Sequence, residues 1–179
     1  MTITDDQGRP EAPVDAAETE TLLGFLDYQR ATFEWKTRGL DAAGMSARVG
    51  PTSMTLGGMM KHLALVEDWW FGENLSGVPA SRPFDGVDFA ADPDWDWRTG
   101  AEDDPSSLRE LWADAVVRSR AHVEAALADG GLDRLAARRW RDGRTPTLRW
   151  IVCHMIEEYA RHNGHADLIR EAVDGSTGE

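Results

Sequence analysis

A chain of 179 residues is the size of one domain and long enough to bury a core without disulfide or metal support. Hydrophobic residues at 41% and charged residues at 28% exclude a disordered or fibrous chain. Nineteen Lys plus Arg against 32 Asp plus Glu leave a net charge of −13, which repels phosphate backbones and anionic lipid and favours a small-molecule or protein partner over nucleic acid or membrane.

Residues 1 to 14 are polar and aperiodic and are read as a flexible arm, followed by a single domain over 15–175. The N-terminus has neither the basic start nor the apolar run of a signal peptide, and no membrane span is visible, so a cytoplasmic location is expected. Asp15 and Glu18 have capping-box spacing, and Leu22, Leu23, Leu26, Gln29, Arg30 and Phe33 then recur at helical steps to a stop near Gly39. A second helix is predicted from a Ser53 cap through Met54 to Leu75, with Met59, Leu63, Val66, Trp69 and Trp70 facing inward. Residues 76 to 104, rich in Pro and Asp, read as a long functional loop. Ser107 and Glu110 form a second capping box for a helix to Leu127, and a basic connector, Arg134 to Arg144, follows. Thr145-Pro146 opens the last helix, which runs to Val173. Four long helices and no strand make an all-α four-helix bundle with one long crossover between helices two and three.

The chemistry concentrates in the last helix. At about 100° per residue, His154, Glu158, His162 and His165 fall within an arc of roughly 80° that also holds Ile151, Leu168 and Ile169 and should face the core. Buried imidazoles and carboxylates without partners are costly, so something must satisfy them. His62, on the inward face of helix two, needs a partner as well. A metal satisfies all of these groups at once: Glu158 and His162, four residues apart, close on one ion with His62 across the bundle, leaving coordination positions open. The spacing equally allows His154 with Glu158, or His162 with His165. Cys153 is the only cysteine and lies off this stripe, which excludes a disulfide or a multi-cysteine site; it reads as a small buried hydrophobe. Trp69 and Trp70 read as packing residues, Glu157 as a surface partner of Arg161, and Arg138, Arg139, Arg141 and Arg144 as a solvated connector.

The segment His62-Leu-Ala-Leu-Val-Glu-Asp-Trp-Trp-Phe71, together with the closing motif Arg161-His-Asn-Gly-His-Ala-Asp-Leu-Ile-Arg-Glu171, resembles the DinB/YfiT-like superfamily. Within it the chain is most similar to the branch of mycothiol-dependent enzymes that includes maleylpyruvate isomerase. The resemblance, over about residues 18 to 173, implies one His ligand from helix two and two ligands four apart in helix four: His62, Glu158 and His162. His154 then becomes a neighbour of the site rather than a ligand. The resemblance also implies a divalent ion, zinc first with nickel, manganese or iron(II) compatible, and a low-molecular-weight thiol, mycothiol or bacillithiol, transferred to a small electrophile.

Two other classes compete with this thiol transferase or isomerase. One is a metal-dependent hydrolase or a non-catalytic, stress-associated metal binder. The other is a homodimeric structural protein whose histidines satisfy one another. Thiol consumption and metal content discriminate among them.

Overall fold

Four of the six described α-helices begin where a side-chain oxygen accepts from a first-turn amide, and the starts differ from the sequence expectations by a few residues. The structure is a computed structural model that describes residues 3–178. It contains α1 (Glu18–Thr37), α2 (Ala42–Ser46), α3 (Leu56–Glu67), α4 (Trp95–Gly100), α5 (Pro105–Ala128) and α6 (Leu148–Asp174). Thr55 rather than Ser53 caps α3 by accepting from the Gly58 amide. Asp104 caps α5 with Pro105 at its first position, displacing the expected Ser107 box. Thr147, not the Thr145-Pro146 pair, caps α6. Asp15 forms no box with Glu18: α1 starts after Ala17 without a side-chain cap, and Glu18 pairs with Arg149 instead.

Among the described residues there is no strand, only the isolated bridges Thr4–Pro10 and Leu135–Thr147. Among the described residues no helix is long and apolar enough to cross a membrane. The architecture is the expected all-α bundle, with α1 against α6 and α3 against α5. The crossover between α3 and α5 is not wholly irregular, because α4 forms within it and packs on α3. The arm expected over residues 1–14, of which residues 1 and 2 lie outside the described residues, reaches α1 through Arg9, which is buried, donates to Thr32 and lies over the rings of Tyr28 and Trp35.

Two features set the register of the site-bearing helices. Glu67, fully buried at the end of α3, accepts a bidentate pair from Arg30 of α1 at 2.8 and 2.7 Å. The same carboxylate accepts from Tyr159 Oη of α6 at 2.8 Å, and that hydroxyl accepts from Trp112 Nε1 of α5. One satisfied ionic cluster therefore joins all four long helices, and it fixes α6 at the residue next to Glu158. The second feature is a change of helix type: after Glu67 the chain continues as a π-helix, Asp68–Ser76. Its wider turn breaks the 3.6-residue period, which is why Trp69, expected inside, is 38% exposed. Leu168, also expected inside, is 63% exposed at the end of α6.

Candidate metal centre

The site is assembled from α3, α4 and α6. His62 Nε2 lies 3.3 Å from Glu158 Oε1, and His162 Nε2 lies 3.2 Å from the same oxygen. The three donor atoms all fall within 4.8 Å of one another. His162 is buried, whereas His62 and Glu158 are partly accessible, so one side of the group faces outward. The sequence-predicted trio thus comes together, one residue from α3 and two from successive turns of α6.

The other candidates do not join it. His154 stacks on Trp150 with ring centroids 5.1 Å apart and meets Trp70 edge-on at 4.6 Å, with Glu157 Oε2 3.6 Å from its Nδ1. His165 packs against the His162 ring at 5.7 Å, behind the trio. Glu157 pairs with Arg161, as its spacing predicts. Asp68 is engaged by Arg118. Arg138 pairs with Glu73 and covers Trp69, so the connector is docked rather than merely solvated. Cys153, expected to be buried, is exposed.

Sequence reasoning missed Asp96. This α4 carboxylate is 2% exposed, and its Oδ2 accepts from His62 Nδ1 at 2.7 Å. Trp97, the next residue, stacks on His62 at 4.5 Å and leans on His162 at 5.4 Å. The close approach of α4 depends on glycines. A Cβ on Gly57 would lie 2.4 Å from the Gly100 carbonyl oxygen, and one on Gly58 would lie 2.5 Å from that of Trp97. Lys61 adds a clamp, donating to Thr99 and Asp103.

A carboxylate only accepts, so Asp96 assigns the Nδ1 proton and leaves the Nε2 lone pair of neutral His62 aimed at Glu158. Either a proton on His62 Nε2, which then donates to Glu158, or a metal cation between the two atoms makes the contact favourable. Burial pushes the His62 pKa down, but the hydrogen bonds to Asp96 and Glu158 outweigh it and raise the value above the ordinary one. Hydrogen bonds from His162 and His62 hold the Glu158 carboxyl far below the usual carboxylate range. His162 Nδ1 is buried without a partner, compatible with its Nε2 serving as a donor to an ion. Ligand atoms about 2.0–2.1 Å from a tetrahedral zinc stand about 3.3 Å apart, close to the two separations from Glu158 Oε1 to the histidine nitrogens. The donor set and its spacing fit a divalent ion.

The mycothiol-S-transferase family model matches residues 21–175. The chain belongs to that family. The match takes in α3, α4, α5 and α6, and with them His62, Asp96, Glu158 and His162. No curated protein matches the chain. Membership in the mycothiol-S-transferase family agrees with the resemblance carried by the His62 segment and the closing-helix motif.

Proposed function

We propose that the protein transfers a low-molecular-weight thiol, mycothiol in first place, through its sulfur to a small electrophile at a divalent metal held by His62, Glu158 and His162. The observation that carries this reading is the convergence of two imidazoles and a carboxylate, one side of it accessible, in a chain of the mycothiol-S-transferase family. When bound, such an ion supplies a positive charge that favours thiolate over thiol. Each unit by which the thiol pKa falls below about 8.5 raises the thiolate fraction at pH 7 nearly tenfold until ionisation is complete.

The protein's own residues prepare that site. Asp96 holds the Nδ1 proton of His62 and keeps its Nε2 lone pair directed inward, and Trp97 covers the imidazole on one side. The Glu67–Arg30–Tyr159 cluster fixes the height of Glu158 against His62. Cys153 stands outside the converging group, so the thiol comes from solution. In the transfer, a sulfur lone pair forms the C–S bond, the leaving group departs with the electron pair of the bond it loses, and the thiol proton passes to solvent. Zinc suits this donor set, as do nickel, manganese and iron(II).

The test is thiol loss with mycothiol, bacillithiol or glutathione and a panel of electrophiles, run beside His162→Ala and a chelated sample, with elemental analysis of each. Metal-dependent consumption that His162→Ala abolishes is the expected result. Metal binding without consumption would make the protein a metal binder, and equal rates in wild type and variant would place the chemistry elsewhere.

A further inference from the structure

The α3 face that carries His62 continues past the metal centre as the wall of a cavity. Val66 follows His62 by four residues, about 6 Å further along α3, and Trp69 stands beyond it in the π-helical stretch. Both line a cavity of about 740 Å³, roofed by the crossover segment through Ala80, Phe84 and Phe89. That volume lies within the roughly 300–1,000 Å³ of small-molecule sites. The short helix α4 touches both places: Trp97 stacks on His62, while Trp95 packs edge-on against Phe84 and Phe89 at 6.3 Å. Val66 on α3 and the two tryptophans of α4 thus connect the cavity to the candidate metal centre.

The charge of the lining restricts the occupant. Its polar side chains are the carboxylates Glu73 and Asp85, and neither Arg nor Lys lines it. Glu73 is neutralised by Arg138, which lies over the Trp69 ring at 4.6 Å. An anionic ligand finds no free cation here and meets a strongly acidic protein, whereas apolar area on an uncharged ligand is buried against Trp69, Phe84 and Phe89.

We infer that this cavity is the acceptor site: it holds an uncharged, apolar, preferably aromatic electrophile beside the thiol. The inference rests on the thiol-transfer reading for its chemistry but not for its binding test. The occupant is selected by apolar contact and by exclusion of negative charge, so carboxylate-bearing electrophiles are poor substrates.

Binding is read first, on metal-loaded and chelated protein, with the neutral fluorophore N-phenyl-1-naphthylamine and the anionic 1-anilinonaphthalene-8-sulfonate. The neutral probe should bind at least about tenfold more tightly than the anionic one, a difference of about 1.4 kcal/mol. Ala80→Trp, which fills the roof, and Trp69→Ala, which removes a wall, should each weaken it by about tenfold or more. Turnover is then compared for 1-chloro-2,4-dinitrobenzene and 4-chloro-3,5-dinitrobenzoate, where the thiolate sulfur forms the C–S bond and chloride leaves with the electron pair. Ala80→Trp should raise KM for the neutral aromatic substrate by about tenfold or more, in step with its loss of neutral-probe binding. Equal or tighter binding of the anionic probe, or neutral-probe binding indifferent to both substitutions, overturns the acceptor site even if thiol consumption is intact. Conversely, the expected probe binding with no thiol consumption would sustain an apolar ligand site and reject the transferase reading.

Discussion

Removing the carboxylate behind His62 tests how the site is built. Asp96→Asn keeps the shape and can present its amide oxygen to His62 Nδ1, so it loses mainly charge. Asp96→Ala loses the 2.7 Å hydrogen bond as well and frees the imidazole to adopt either tautomer. Partners behind a metal-binding histidine are worth about 10- to 100-fold in affinity, so Asn is expected near the low end and Ala near the high end, about 1.4 and 2.7 kcal/mol. For a domain of this size that removes about 3–10 °C of metal-induced thermal stabilisation. The assay is zinc competition against a chromogenic chelator across a pH series, with chelated variants melted alongside to separate folding from binding. The pH series carries a sign. His62 is raised above its ordinary pKa despite burial, because Asp96 and Glu158 favour its protonated form. Zinc must therefore displace a proton that wild type holds more tightly than the variants do, and the affinity advantage of wild type should shrink as pH falls through the His62 value. Zinc affinities indistinguishable from wild type at pH 8 in both variants, with normal folding, would refute the positioning role.

His162→Ala should lose bound metal on elemental analysis while His154→Ala retains it; the reverse would shift the ligand pair one step of four along α6. Glu67→Ala strands Arg30 without its carboxylate and should cost about 3–5 kcal/mol in urea unfolding, against about 1 kcal/mol for Tyr159→Phe, and equal small losses would show that the cluster does not hold the helices together. In chelated protein, the lowered Glu158 contributes stability above its unfolded pKa of about 4.3 that is lost as pH falls. The raised His62 contributes stability below its unfolded pKa of about 6.5 that is lost as pH rises through its folded value. The pair's contribution should therefore be greatest between about pH 4.5 and 6.5, and a profile that His62→Ala leaves unchanged would contradict it. Gly58→Ala drives a Cβ toward the Trp97 carbonyl and should cost about 1–3 kcal/mol by overpacking, with weakened zinc binding as α4 is displaced; stabilisation with unchanged zinc affinity would show that α4 does not depend on this contact.

The bundle and the inward polar stripe were legible because both are written in the 3.6-residue period, while the choice of His62, Glu158 and His162 from that stripe came from the family resemblance. Glu158 and His162 lie one turn apart on a face that also carries Ile151 and Ile169, and His62 is a polar residue in an otherwise apolar stripe. Where the period fails, so does the reading. The π-helical stretch from Asp68 turns Trp69 outward, and nothing in the residues Asp68-Trp69-Trp70-Phe71 distinguishes that from a continuing α-helix. Asp96 was illegible for another reason: Asp92, Asp94, Asp96, Asp103 and Asp104 crowd one polar stretch, and only a tertiary contact selects which is buried. That contact does leave a trace. Gly57-Gly58 in the first turn of α3, with Gly100 at the end of α4, is a poor choice for helix formation, since glycine costs about 1 kcal/mol relative to alanine in a helix interior. Such a cost is tolerated where another backbone must come close. Here the approaching backbone is α4, and what it delivers is the carboxylate on His62 and the ring that covers it, so helix propensity is sacrificed at the contact that orients His62 in the candidate site.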